Sequence, residues 1–278
     1  MRPLCIYHGN CADGFGAAWV VRRAYKVLEE PYRPEFHAGV YSDAPPDVTD
    51  REVIMVDFSY KRPVLLEMAE KAKSILIIDH HKTAAEDLVD LPENVRTVFD
   101  MEHSGAMLTW LEYFQRETPR PLLAHIEDLD LWRFRLPGTR EIQANVFSYP
   151  YDFEVWDGLM ERRVEDLIAE GRAIERKHFK DIRELLPVVT RRLTIGGHDV
   201  PIANLPYIHV SDAAHELAKG EPFAGCYWDT PKGRVFGLRS SEGGVDVSEI
   251  AKQYGGGGHA RAAGFTVSYD VARRLEHR

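Results

Sequence analysis

Cysteine is scarce in this chain: Cys5, Cys11 and Cys226 are its whole complement in 278 residues. So small, odd and scattered a set argues against a disulfide framework and points to a reducing compartment. No apolar run approaches the roughly 18 residues that span a bilayer. The amino terminus lacks a basic stretch followed by a long apolar stretch and a small-residue cleavage site. The expectation is a cytoplasmic protein with no membrane partner. Basic runs are missing as well. Residues 1–190 hold 24 Lys+Arg against 34 Asp+Glu, and residues 191–278 hold 11 against 10. A protein that tracks long nucleic acid neutralises many phosphates along a basic stripe, and nothing in this sequence supplies one. The dinucleotide fingerprint is incomplete too. Trp19 stands where the third glycine should follow Gly14-Phe-Gly16, and Asp13 would oppose the pyrophosphate. Apart from one run of four glycines there is no repeat or low-complexity segment.

What the chain does have is an apolar content of 44% over a length that exceeds one compact domain. Its first half alternates short apolar runs with helical spacing. Leu4-Cys-Ile-Tyr7 predicts a strand, followed by a Gly-rich turn and a helix over 16–28. Val53-Ile-Met-Val56 and Ile75-Leu-Ile-Ile78 predict two more strands, with a helix over 63–73 between them. Such βαβα order implies an α/β fold with a doubly wound, mainly parallel sheet. Helices are expected over 105–115 and 122–126, with an acidic knot at Glu127-Asp-Leu-Asp-Leu-Trp132. Apolar residues at helical spacing over 153–186 predict one or two long helices. From Arg192 onward β-type runs dominate, with a helix over 247–254. The expected organisation is a larger domain at 1–152, a helical linker at 153–190, and a smaller mixed α/β domain at 191–278.

Potential metal ligands follow each of the three N-terminal strands: His8 and Asp13, then Asp57, then Asp79-His80-His81. In an open parallel sheet the carboxyl ends of the strands share one edge, where ligands bind. A lone acid after a strand usually caps a helix or makes a turn. An Asp-His-His triplet after an apolar strand, joined by three similar positions, concentrates costly groups without structural benefit. Carboxylate and imidazole donors suit Mn²⁺ first, and Zn²⁺, Fe²⁺ or Co²⁺ as well. Two such ions, bridged by one carboxylate, activate water and stabilise a phosphoryl transition state, and Asp57 is the natural bridge. At the other end, Gly255-Gly-Gly-Gly-His-Ala-Arg261 reads as a flexible loop. The N–H groups of Gly255, Gly256, Gly257 and Gly258, with His259 and Arg261, would hold an anion, assisted by Arg239 and Ser240.

These residues resemble the DHH phosphoesterases, whose members include RecJ-like exonucleases, oligoribonucleases, nucleotide phosphatases and family II pyrophosphatases. Asp79-His80-His81 matches the triplet that names the family. His8-Gly-Asn-Cys-Ala-Asp-Gly14 looks like its first motif, Val56-Asp57-Phe58 its second and 127–132 its fourth. The segment 255–265 looks like the signature of the DHH-associated carboxy-terminal domain. The resemblance implies that His8 and Asp57 hold one metal, and that Asp13, Asp57, His80 and Asp130 hold the other, with Asp128 the alternative to Asp130. It casts Asp79 as the partner that orients His80, and His81 as a group beside the substrate phosphate. Cys11 departs from the family, which usually has Asp there. It could ligate as a thiolate, Asn10 could supply an oxygen, or the position could fill only with substrate. The N–H groups at Ser104 could meet a phosphate or merely begin a capped helix.

The expected function is hydrolysis of phosphoester bonds in nucleotides or very short oligonucleotides by in-line attack of a metal-bound hydroxide. Polyphosphate or pyrophosphate hydrolysis and non-catalytic nucleotide sensing are the alternatives. Homo-oligomer formation is left open.

Overall fold

The computed structural model describes residues 2–276, positions 31 and 42 excepted. The chain forms two compact units, Met1–Glu175 and Arg176–Arg278. Among the described residues no helix is long and apolar enough to cross a membrane.

The first unit is built on five strands, β1 (Leu4–His8), β2 (Glu35–Gly39), β3 (Glu52–Val56), β4 (Ser74–Asp79) and β5 (Val95–Phe99). They pair in parallel in the order β2-β1-β3-β4-β5. Successive side chains of a strand point to opposite faces, and the core divides accordingly. Leu4, Ile6, Val53, Met55, Ile75 and Ile77 meet Leu65 and Met68 on one face, whereas Cys5, Ile54, Val56 and Ile78 pack on the other. The helices of this unit are α1 (Ala12–Val27), α2 (Arg62–Ala69), α3 (Lys82–Asp87), α4 (Gly105–Tyr113), α5 (Pro121–Asp130), α6 (Thr139–Val146) and α7 (Phe153–Glu161). Helix α2 covers the first face, while α1, α4 and α5 cover the second. The doubly wound parallel sheet is therefore as predicted. Trp156, Leu159 and Met160 of α7 join this second core, and the division between the units falls within α8 (Val164–Val189).

Three local readings need correction. The helix expected from Gly16 begins at Ala12, so Gly14 is helical and not part of a turn. Its role is close approach, because a Cβ at Gly14 would lie 2.3 Å from the His8 carbonyl oxygen. The acidic knot is the last turn of α5, which carries Asp128 and Asp130. Strands β2 and β5 were missed: both lie at sheet edges and expose much of their length, so neither carries a continuous apolar run.

The second unit holds a mixed sheet of β6 (Thr190–Ile195), β7 (His198–Asn204), β8 (Ala224–Thr230), β9 (Gly233–Arg239), β10 (Gly257–His259) and β11 (Ala262–Val267). The order is β10-β11-β9-β8-β7-β6, with only β7 and β8 parallel. Its helices are α9 (Val210–Leu217), α10 (Val247–Lys252) and α11 (Tyr269–Glu276). Phe236 and Phe265 stack at 4.9 Å on the face that α10 and α11 cover.

The Gly255–Gly258 run is not the open loop expected. Gly257 and Gly258 belong to β10, paired antiparallel with β11. The glycines have a packing cause there: a Cβ at Gly256 would lie 2.1 Å from the Gly264 carbonyl oxygen, and Gly258 sits at φ 136°.

Candidate metal centre

In a 2-1-3-4-5 parallel sheet, the strand order reverses between β1 and β3, and the crevice at their carboxyl ends is the preferred ligand position. His8 ends β1 and Asp57 follows β3, so both stand at that reversal. The chain leaves β1 through Asn10 at φ 57° and enters α1, placing Asp13 in its first turn. Asp57 itself sits at φ 53° and donates its N–H to the Ile78 carbonyl at 2.9 Å. Short polar side chains tolerate that left-handed conformation best. Gly105, the first residue of α4, is pressed against it, since a Cβ there would lie 2.4 Å from the Asp57 Cβ. Strand β4 ends in Asp79 and presents His80 and His81 beyond it.

These elements bring the predicted ligands of this unit to one pocket. His80 Nε2 lies 3.1 Å from Asp57 Oδ1, 3.4 Å from Asp130 Oδ2 and 3.7 Å from Asp13 Oδ2. On the other side, His8 Nδ1 lies 3.4 Å from Asp57 Oδ2. That oxygen is buried and makes no hydrogen bond. Ligand atoms of Asp13, His80 and Asp130 fall within 4.8 Å of one another, and so do those of His8, Cys11 and Asp57. Asp57 therefore turns one oxygen toward each trio. Asp13, Asp57 and His80 are each only 1% exposed.

The electrostatics are those of an overcrowded carboxylate nest. Burial, with the charges of Asp57 and Asp130, pushes the Asp13 carboxyl well above its usual range. Asp130 reaches solvent, yet partial desolvation of its carboxyl at the pocket, with the Asp57 charge adding to the effect, raises it as well. Against burial, the neighbouring rings of His8 and His80 hold Asp57 well below its usual range. Burial also opposes charging of His80, yet Asp57, Asp130 and Asp13 outweigh it and push the ring up to about 10. Burial and the same three carboxylates push the Cys11 thiol well up. A protonated imidazole thus does part of the work of a cation. Asp130 adds a second sign, because an acid in the last turn of α5 opposes the helix dipole unless a positive charge compensates.

Several assignments sharpen. Asp79 holds the ring of His81, not that of His80. Its Oδ1 meets His81 Nδ1 at 2.7 Å and accepts the backbone N–H of His80 at 2.8 Å. The cause is local: a carboxylate pinned by its own following backbone reaches the ring two residues on, while His80 is turned toward Asp57. Asp128 is fully engaged elsewhere, accepting from Arg135 N, Leu136 N and the Thr139 hydroxyl at 2.8, 3.0 and 2.6 Å. The geometry favours Asp130. The N–H groups at the start of α4 do not await a phosphate either, because those of Gly105 and Ala106 grip Asp13 at 2.6 and 3.0 Å and Ser104 caps Met107.

Three neighbours escaped the sequence reading. Tyr41 lies with its ring 5.4 Å from that of His8, the Ser59 hydroxyl donates to Asp79 at 3.2 Å, and Glu127 accepts from the Ser104 N–H at 3.1 Å. Tyr41 follows the unrecognised β2, and recognising that strand would have placed it at the same edge.

In the second unit, Arg261 is exposed beyond β10 and lies 3.7 Å from Glu242. Arg239 donates to Ser211 Oγ at 2.7 Å. Ser240 is 2% exposed and takes part in bonds to Arg261 O and Ala260 O, which makes it a support of this hairpin.

A nest of carboxylates and imidazoles, with Asp13, Asp57 and His80 buried, His8 and Asp130 reaching solvent, and one buried Asp57 oxygen without a hydrogen bond, fits divalent cations of the Mn²⁺, Fe²⁺, Co²⁺ and Zn²⁺ type. The comparisons agree in outline. The DHHA1 domain family matches residues 208–277. The uncharacterized protein R106 of Acanthamoeba polyphaga mimivirus is 33% identical over 290 residues, which cover 95% of this chain and 67% of that protein. Among solved structures, the pGpG-specific phosphodiesterase PggH from Vibrio cholerae matches with a TM-score of 0.52 at 15% identity, over 100% of this chain and 97% of that one. RecJ from Thermus thermophilus in complex with Mn²⁺ matches with a TM-score of 0.52 at 14% identity, over 99% of this chain and 51% of that one. At such identities the structural likenesses speak for the fold.

Proposed function

We propose that this chain, which belongs to the DHH family and carries its DHHA1 domain, is a metal-dependent phosphoric ester hydrolase acting on nucleotides or very short oligonucleotides. One observation carries the reading. Asp57 stands between two donor trios with a buried oxygen facing each, an arrangement that is costly for the fold and useful only with cations in place.

The ligands would be His8 and Asp57 on one side, and Asp13, Asp57, His80 and Asp130 on the other. When bound, two divalent cations supply Lewis-acid charge at the phosphoryl group and make water nucleophilic near neutral pH. The chain's own contributions follow from its hydrogen bonds. Asp79 fixes His81 at 2.7 Å, which gives that imidazole a set orientation for stabilising a phosphoryl oxygen or handing a proton to the leaving oxygen. The Gly105 and Ala106 N–H groups fix Asp13, so its carboxylate needs no reorganisation when a cation arrives. We assign phosphate binding to the hairpin residues Gly255–Gly258, His259 and Arg261, with Arg239. The acidic balance and the lack of a basic stripe favour a short substrate.

The test is direct. Purified protein supplied with Mn²⁺ is incubated with short RNA, short DNA, adenosine bisphosphate, cyclic dinucleotides and pyrophosphate, and the products are separated. Cleavage of at least one nucleotide phosphoester is expected. Turnover of pyrophosphate alone, or binding without turnover of any of them, would overturn the proposal.

A further inference from the structure

We infer that Cys11 is a metal ligand, so that the two cation positions beside Asp57 are chemically unlike: one of His8, Cys11 and Asp57, selective for a thiophilic ion, and one of Asp13, His80 and Asp130, suited to a harder ion. The inference deepens the hydrolase reading and rests on it for the presence of metal.

Geometry comes first. Ligands around one tetrahedral ion with bonds of about 2.0–2.3 Å stand about 3.3–3.8 Å apart. The ligand atoms of His8, Cys11 and Asp57 already fall within 4.8 Å of one another, so small side-chain adjustments place all three around one ion. The Asp57 oxygen on this side is the buried one without a hydrogen bond. The Cys11 sulfur has one backbone neighbour to compete with ligation, the Gly14 N–H, and that contact falls short of capping geometry. Cys11 occupies the N-cap of α1 without making a capping hydrogen bond, whereas Ser104, Asp152 and Asp246 cap their own helices. It is free of disulfide bonding.

Charge comes second. A thiolate carries the same single negative charge as a carboxylate, so a ligated Cys11 leaves the charge balance of the pocket as an aspartate would leave it. The softness of the donor changes instead, and thiolate favours Zn²⁺, Fe²⁺ or Co²⁺ over Mn²⁺. On binding, the Cys11 S–H gives its proton to solvent and the sulfur lone pair enters the coordination sphere.

The other two cysteines make the test clean, since Cys5 and Cys226 are both 0% exposed and packed in apolar cores. The full chain is stripped of metal and titrated with Co²⁺ while its absorption spectrum is followed. A sulfur-to-cobalt charge-transfer band in the near ultraviolet, with the intensity of one thiolate per chain, is expected. Cys11→Ser should lose the band, and Zn²⁺ affinity should fall by at least the about 10–100-fold that loss of even an outer partner costs. Cys11→Asp should lose the band while still taking up Mn²⁺. Two equivalents of Co²⁺ bound to the unaltered chain without the band would overturn the inference and leave the hydrolase reading standing. A band that persists in Cys11→Ser would overturn it as well. A band in a protein that hydrolyses nothing would support the thiolate ligand and sink the hydrolase reading.

Discussion

Replacing Asp57 by Asn tests the site at its centre, and the backbone dictates that particular substitution. Asp57 sits at φ 53°. Alanine there would add roughly 1–2 kcal/mol of left-handed strain to whatever the lost charge costs, whereas Asn adopts that conformation readily. Asp57→Asn therefore removes charge while leaving the backbone and its 2.9 Å bond to Ile78 in place. Removing one preorganised electrostatic group from a transition state costs about 2.7–4 kcal/mol, roughly 10²- to 10³-fold in rate. Because Asp57 faces both donor trios, the upper end of that range is expected, about 10³-fold in turnover. Hydrolysis of a short RNA in saturating Mn²⁺ measures it, circular dichroism checks the fold, and calorimetry counts bound metal. The variant should bind fewer than two ions. A folded Asp57→Asn protein that binds two ions and turns over within tenfold of the parent would refute the bridging argument.

Gly105→Ala should act on the same carboxylate from outside, since its Cβ would fall 2.4 Å from the Asp57 Cβ. A stability loss of about 1–3 kcal/mol by denaturant titration, together with weakened Mn²⁺ uptake, is expected, and unaltered uptake would remove the positioning role. Asp128→Asn should lower stability by about 1–3 kcal/mol, because it weakens the acceptor for two backbone N–H groups, yet metal stoichiometry should hold. Asp130→Asn should do the reverse, and the opposite pattern in calorimetry would restore Asp128 as the ligand. Arg261→Ala should raise KM about tenfold or more, in line with roughly 1.5–3 kcal/mol for a charge-assisted bond, with kcat nearly unchanged; a loss confined to kcat would contradict phosphate binding there. In the metal-free protein, the raised pKa of His80 makes its charged form stabilising. That contribution is complete below its ordinary value of 6.5 and is lost as pH rises toward about 10. Over that shift it is on the order of 5 kcal/mol, so the thermal stability gap between the parent and His80→Gln should narrow from pH 6.5 to 10. A gap that stays constant over that range would show the ring to be neutral throughout.

The three central strands and their terminal ligands were legible because continuous apolar runs and chemically costly residues stood next to each other, as in Ile75–Ile78 followed by Asp79, His80 and His81. What was not legible depended on groups that meet only after folding. Nothing local in the sequence distinguishes Asp128 from Asp130. Three neighbours that arrive seven to eleven residues later occupy the first, while the pocket receives the second. The pairing of Asp79 with His81 was equally hidden, since it depends on a carboxylate folding back along its own chain. The glycine run misled for a related reason. Four glycines read as freedom, but Gly256 is required by the approach of the Gly264 carbonyl, a contact set by the register of β10 on β11.

The acids of the nest show why the pocket exists at all. A fold under selection for stability alone would not put Asp130 at the carboxyl end of a helix, hold Asp57 in a left-handed conformation, and enclose Asp13 between them. Each choice raises the free energy of the metal-free chain. The protein offsets part of this with backbone donors from α4 and with a proton on His80, and both devices keep the carboxylates where they are instead of letting them separate. A divalent cation would relieve the remaining repulsion, and each one would have to displace protons to do so. On the proposed reading, metal uptake and proton release are two readings of a single event, and the destabilisation stored in the nest would give the pocket its affinity.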